Sequence, residues 1–386
     1  MPTKFILVIC LTAIGQILSV LFYPLMSSAI HVDVLSQIAL IEASMALVVS
    51  LLGFGINATT TRDVALSGHY INIVRDTQRA RITFALTLTI IAILAYCYDL
   101  ISLELFYTSS FSIVIALNYD YVLYGLGKPV HAAIASFVRL AMPLIIFIAG
   151  SILGVLNSSL DYMALLIISL LLSSFIVSRF CKTPLLYKPT LNFYKVYINA
   201  GWIGLAGLSL VFIRIGFVPF LGNNFDNDEL VLLMIVLKLG LFAIAGKRIL
   251  IQFFYKSLLN EQVYSRINNF LTASGVFCIL IVALMWRPIE VIFINSDLNA
   301  KLCFLASFYI FAMLFFPLSD AKLILLKKDK VVFVLNSVFF LILLFILLFF
   351  KDNLQNVYDV VATLVVIEFA ISLSLFLFVQ HFKRKE

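Results

Sequence analysis

Apolar residues along this chain do not alternate with polar ones. They run in blocks of about 20 residues separated by short polar breaks. Twelve such blocks lie near 5–30, 34–56, 82–98, 102–124, 130–153, 160–178, 195–220, 229–246, 268–286, 302–319, 331–350 and 357–380. A hydrocarbon core about 30 Å thick, crossed at about 1.5 Å per residue, calls for helices of this length. The pattern predicts an all-α polytopic membrane protein of about 12 transmembrane helices.

Composition reinforces the class. Of 386 residues, 63% are hydrophobic, only 12% are charged, and phenylalanine alone supplies 36, far more than a soluble core needs. The first block is too long for a signal-peptide core and leads straight into a second, so it is expected to remain in the mature chain. Cys10, Cys97, Cys181, Cys278 and Cys303 are scattered without metal spacing and read as buried thiols.

The breaks between blocks give an orientation, because Lys and Arg accumulate on the cytoplasmic side of short loops. With the N-terminus inside, 21 of the 27 cations fall in cytoplasmic segments and three, Arg287, Lys301 and Lys351, fall outside. Both termini are therefore expected in the cytoplasm. Acids show the opposite bias, and the net charge of +7 becomes a signature of topology and not of nucleic-acid binding.

Two local matches suggest a duplication. Pro24 and Asp33 recur 195 residues later as Pro219 and Asp228. The segment from Asp120 to Lys128 recurs 200 residues later from Asp320 to Lys328, sharing Asp, two Leu and Lys at the same spacing. Two parallel six-helix bundles follow, residues 1–187 and 188–386, joined by a linker containing Pro184 and Pro189. The long basic connections 57–81 and 247–267 mix cations with apolar residues and suit short helices at the inner headgroup region.

Three cations remain inside the apolar blocks: Arg139, Arg214 and Lys238. Charge at the bilayer centre costs roughly 2.5–3.5 kcal/mol on insertion scales, so it generally faces a cavity or a partner. Arg139 and Lys238 lie about ten residues into their helices, and a cavity role is favoured for both. For Arg214, six residues from a helix end, snorkelling to the interface stands level with function. Glu42 and Glu368 are acids at similar depth. Glu42 reads equally as an ion-coupling carboxylate or as a structural partner of Lys238, and for Glu368 pairing leads. Asp120 and Asp320 are expected to tie helix ends to loop cations.

Enzyme signatures are missing. The chain has no Walker loop and no converging Ser-His-Asp or Cys-His set. Its outer loops are too short to hold an acceptor substrate, which counts against a polymerase or glycosyltransferase. Nothing calls for a metal or cofactor.

At this point the residues resemble a family. Pro24-Leu-Met-Ser-Ser-Ala-Ile, then Gly53-Phe-Gly-Ile-Asn-Ala-Thr-Thr-Thr-Arg-Asp-Val-Ala65, looks like the N-terminal region of bacterial O-antigen and polysaccharide-unit flippases, members of the multidrug, oligosaccharidyl-lipid and polysaccharide (MOP) exporter superfamily. Leu117-Asn-Tyr-Asp-Tyr-Val-Leu-Tyr-Gly-Leu-Gly-Lys-Pro129 resembles the end of that family's fourth helix. The motif likeness covers mainly the first 145 residues, and the second half departs from it, with Leu325 and Lys327 where the first has Gly125 and Gly127.

The resemblance implies a non-enzymatic, multi-pass protein of the bacterial inner membrane. It would move an undecaprenyl-diphosphate-linked oligosaccharide, an O-antigen or capsule repeat unit of lipopolysaccharide-type polymers, to the periplasmic leaflet by alternating access. A lumen between the halves would be lined by the first, second, seventh and eighth helices, where Glu42, Arg214 and Lys238 lie, and the diphosphate would meet Arg139, Arg214 and Lys238. Membrane lipids, a polysaccharide polymerase and chain-length machinery would be its partners, with no nucleic acid. The alternatives are a small-molecule exporter of the same superfamily and an O-antigen polymerase or lipid-linked glycosyltransferase.

Overall fold

The computed structural model describes residues 2–66, 70–221, 225–254, 258, 260–292, 300–326, 328–349, 354 and 356–383, and among them every regular element is a helix. The chain divides into two compact units, Met1–Gly222 and Asn223–Glu386. The first unit takes in the seventh apolar block. The expected bundle boundary after residue 187 concerns sequence duplication and is a separate question from this division.

Unit 1 contains α1 (Pro2–Met26), α2 (Val32–Gly53), α3 (Ile56–Leu66), α4 (Tyr70–Cys97), α5 (Leu103–Ser110), α6 (Ser112–Leu117), α7 (Tyr121–Gly125), α8 (Pro129–Ile152), α9 (Ser159–Cys181), α10 (Tyr194–Asn199), α11 (Gly201–Val211) and α12 (Val218–Leu221). Unit 2 contains α13 (Asn227–Phe254), α14 (Glu261–Ile292), α15 (Ala300–Leu314), α16 (Ser319–Leu325), α17 (Asp329–Phe349) and α18 (Val357–Lys383).

Ten spans among the described residues are long and apolar enough to cross a membrane, one of them, Ala300–Leu325, joining α15 and α16 across a turn at 315–318. The other two expected blocks are more strongly interrupted. The seventh is bent by 81° between Leu191–Asn199 and Gly201–Gly216. The fourth is divided into α5, α6 and α7, with Asn118 in an extended conformation between the last two. Non-helical backbone at membrane depth survives only where protein or a water-filled cavity satisfies its polar groups. The break after α6 is therefore a place to look for such partners.

The basic connections are more helical than loops. Residues 57–66 lie in α3 and residues 70–81 form the first turns of α4, which begins twelve residues before the apolar block it carries. Residues 247–254 likewise extend α13, and α14 begins at Glu261.

Packing in unit 1 joins α1 to α8, α8 to α9, α2 to α5, α3 to α7 and α2 to α11; in unit 2, α15 is flanked by α13, α14 and α18. The glycines of the first motif have a steric reason. Gly55 has φ +71°, and a Cβ there would stand 2.6 Å from the Gly204 backbone nitrogen of α11. Only glycine permits both the left-handed backbone and that approach. Gly125 of the second motif faces the Thr61 carbonyl of α3, which a Cβ would meet at 2.7 Å. Thr61 also donates from its hydroxyl to the Tyr121 carbonyl at 3.1 Å, closing α3 onto α7.

A buried cluster of Val64, Val74, Tyr119, Tyr121, Val122, Leu123, Ala132, Ala135, Val177 and Cys181 fills this end of unit 1. It surrounds the interruption in the fourth span.

Candidate functional site

The break between α6 and α7 exposes backbone groups that a continuous helix would satisfy internally, and two arginines converge on it. Arg139 follows Ala132, Ala135 and Ser136 at helical spacing on α8, the stripe that this helix turns inward. Its guanidinium donates to Asn118 Oδ1 at 3.0 Å and pairs with Asp120 at 3.1 Å; Ser136 donates to the same carboxylate at 3.1 Å. Arg139 therefore has an acid partner, and that partner comes from the break itself.

Arg81 of α4 approaches from another side. It donates from one terminal nitrogen to the Asn118 carbonyl and from the other to the Ile115 carbonyl at 3.4 Å, and its guanidinium lies 5.5 Å from the Tyr121 ring centroid. Asn118 completes the set by donating to Ser173 of α9 at 2.8 Å, and Ser173 donates to the Ala135 carbonyl of α8 at 2.8 Å. One asparagine thus ties α4, α8 and α9 to the broken span. A guanidinium suits the task because its fixed fork of donors can reach two carbonyls at once.

Topology alone counts Arg81 among the loop cations. In the fold it is buried, with 4% of its surface exposed, and no carboxylate pairs with it among the described residues. A signal is present in the sequence. Val74, Thr77, Gln78, Arg81, Ile82 and Ala85 recur at helical spacing, and all are buried on α4.

Glu42 occupies a second polar centre of unit 1. Tyr23 of α1 and Tyr162 of α9 each donate a phenolic hydroxyl to its carboxylate at 2.6 Å. Both tyrosines are fully buried, within an aromatic group that includes Phe22 and Phe147. Each carboxylate oxygen takes one of these short donors, as a strong acceptor does. The arrangement holds α1, α2 and α9 together around one acid. Arg214, also in unit 1, is half-buried on a π-helical turn, Phe212–Gly216. Such turns occur disproportionately at functional positions.

In unit 2, Lys238 lies on α13, the most enclosed of the candidate spans among the described residues. Lys238 itself is 5% exposed. Glu368, fully buried, lies on α18, which packs against α13. Each is eleven residues from the start of its helix, at Asn227 and Val357 respectively, so the two share a similar distance along their spans. Near the other end of the unit Asp320 accepts from Lys247 at 2.8 Å, a tie between a helix end and a basic connection of the kind expected. Lys322 pairs with Glu261 at 2.7 Å and stands 5.1 Å from the Tyr264 ring centroid.

The expected residues are thus distributed over several centres. Arg139 gathers Asp120, Asn118 and, through Asn118, Arg81. Glu42 gathers two tyrosines that sequence reasoning did not single out, since a lone Tyr in an apolar helix carries no distinctive pattern.

No known family profile matches the sequence, and no curated protein matches it. Solved structures do. A multidrug-resistance MATE family transporter of the MOP superfamily in an inward-facing conformation aligns with a TM-score of 0.66 at 12% identity, covering 94% of this chain and 93% of that one. The chain has a MATE-type fold. A MATE-family transporter in an outward-facing conformation aligns at a TM-score of 0.60 and 13% identity over 97% of this chain and 94% of that one. The MATE multidrug transporter DinF-BH, in a ligand complex, aligns at 0.59 and 16% identity over 100% and 96%. At such identities the MATE-type likeness is one of fold.

Proposed function

We propose that this protein is an alternating-access transporter of the MOP superfamily whose cargo is an anionic lipid-linked substrate, an undecaprenyl-diphosphate oligosaccharide. It would carry this cargo across the bacterial inner membrane with both termini in the cytoplasm. The observation that carries the reading is the set of cations on spanning helices: Arg81 and Lys238, buried in units 1 and 2, and Arg139, half-buried in unit 1. An exporter of cationic drugs is better served by an acidic lumen, whereas a diphosphate needs fixed cations and repays their desolvation. Arg139 suits the role because Asp120 holds it as an exchangeable partner: an arriving phosphate competes for the same fork of donors. The similarity to MATE transporters in both inward- and outward-facing states supports a rocking cycle. Duplicated bundles meeting after residue 187 would supply the two halves, and Glu42 is the candidate for coupling to a cation gradient.

The test is flipping of a fluorescent polyprenyl-diphosphate oligosaccharide in proteoliposomes. The double variant D120N/R139Q removes the cation without leaving an orphaned carboxylate, and K238Q removes the second. Loss of flipping with insertion intact is expected from each. Full activity with all three substitutions combined would overturn the cationic-site reading.

A second reading, a multidrug exporter, draws on the MATE neighbours and on the carboxylates Glu42 and Glu368 within spans. It predicts efflux of a cationic fluorescent dye that survives D120N/R139Q and is lost in E42Q.

A further inference from the structure

At the end of α9 the chain forms a recess of about 390 Å³ lined by Phe175, Ser178, Arg179, Lys182, Thr183 and Pro184. Its two cations are not consumed by the fold. Arg179 and Lys182 are exposed, and neither is paired with a carboxylate among the described residues. The floor is fixed: Ser178 donates to the Thr183 carbonyl at 2.6 Å, and the Thr183 hydroxyl is hydrogen-bonded to Tyr119 at 2.9 Å. Lys182 caps the helix at φ +54°, a left-handed conformation that turns the chain sharply and sets Lys182 beside Arg179.

What leads into this recess identifies the ligand. Ile168, Leu172 and Phe175 are exposed on α9 at 52%, 41% and 62%, and Arg179 continues the same row at helical spacing. An exposed apolar row on a membrane-spanning helix faces acyl chains, so Arg179 stands where that row reaches headgroup depth. The geometry points to a binding site for the phosphate headgroup of an anionic phospholipid, with its acyl chains along Ile168, Leu172 and Phe175. Tyr119 joins the floor of this recess to the break, but Arg179 and Lys182 are not among the groups that meet Asn118, and the site does not depend on what the protein transports.

Native mass spectrometry of the purified full chain with added phosphatidylglycerol or phosphatidylcholine tests it. The site predicts retained phosphatidylglycerol on the wild type and little phosphatidylcholine. In R179Q/K182G, whose glycine accepts the left-handed cap, the apparent affinity for phosphatidylglycerol should fall about 30-fold. The charge-matched variant K188Q/K195Q should bind as the wild type does. Equal loss in both double variants would reduce the effect to net charge and overturn the site, as would unchanged binding in R179Q/K182G. Displacement of phosphatidylglycerol by millimolar inorganic phosphate would assign a free-phosphate site instead, which also overturns the lipid assignment. Melting temperature, expected to be similar for both variants, separates lost binding from lost folding.

Discussion

The segments Asp120–Lys128 and Asp320–Lys328 end corresponding spans of the two units and close in the same way. The Lys128 amide donates to the Leu123 carbonyl at 2.8 Å, and the Lys328 amide to the Leu323 carbonyl at 2.9 Å. Leu126 and Leu326 make the matching bonds to residues 122 and 322 at 3.0 Å. Leu123 and Leu323 are both fully buried. Three of the four shared residues, the two leucines and the lysine, thus lie in matching bonds of the turn, while the shared aspartate goes to Arg139 in one segment and to Lys247 in the other. What differs is the cation behind it. In unit 1 Arg81 of α4 lies against Tyr121 of α7 and is held by carbonyls of the broken span. In unit 2 the placement is exchanged: Lys322 of α16 lies against Tyr264 of α14 and pairs with the half-exposed Glu261. A cation against a tyrosine recurs on swapped helices, but among the described residues an acid pairs with the one in unit 2 and none with the one in unit 1. Unit 1 spends its acid, Asp120, on Arg139.

The sharpest way to break this contrast is R139M. It strands the Asp120 carboxylate, which is 13% exposed, with only Ser136, and should cost about 3–5 kcal/mol of stability in detergent. D120N/R139M should recover most of that loss, and additive thermal-unfolding costs would deny the coupling. Next is R81M, which leaves the Asn118 carbonyl without its donor, while the Ile115 carbonyl keeps the Asn118 amide at 3.2 Å, and should cost about 1–3 kcal/mol. K322M is expected to cost less, about 1–2 kcal/mol, because Glu261 can turn to water and the loss is confined to the Leu258 carbonyl, which accepts from Lys322 at 3.0 Å; an equal shift in melting temperature would erase the difference between the units. Y162F removes one of the two short bonds to Glu42 and should cost about 2 kcal/mol, measurable by urea unfolding in mixed micelles. The smallest effect belongs to E261Q, below about 1 kcal/mol, since its carboxylate is 44% exposed. A larger loss would show that Lys322 depends on that acid as Arg139 does on Asp120.

Much of the fold was legible because hydrophobic length alone sets the number of spans. All twelve blocks correspond to helical segments, and the interruptions, not the spans, were hidden. Asn118 lies within a run apolar enough to pass as one helix, and nothing local announces that Arg81 will bond its opened backbone while Arg139 bonds the side chains of Asn118 and Asp120. Arg139 and Lys238 stood out because charge in an apolar block is conspicuous. Arg81 did not, because it stands where a basic loop was expected, although the buried row on α4 included it. The aromatic partners of Glu42 were equally silent, as Tyr23 and Tyr162 differ from other aromatic residues of their helices only in what they face.

The sequence by itself determined the all-helical membrane class, the place of the apolar blocks and the leucines that seat the turn, since burial in lipid and backbone closure depend on runs and spacings within a few turns of chain. Among the described residues, ten of the twelve blocks are candidate spans, eleven if the bent pair is one. Tertiary structure alone decided which charges have partners and which helices are broken. Those outcomes depend on side chains brought together from 19 to 120 residues apart, as at Glu42 and Asn118. A buried charge is then settled by the donors and carboxylates that surround it, which a one-dimensional pattern does not record.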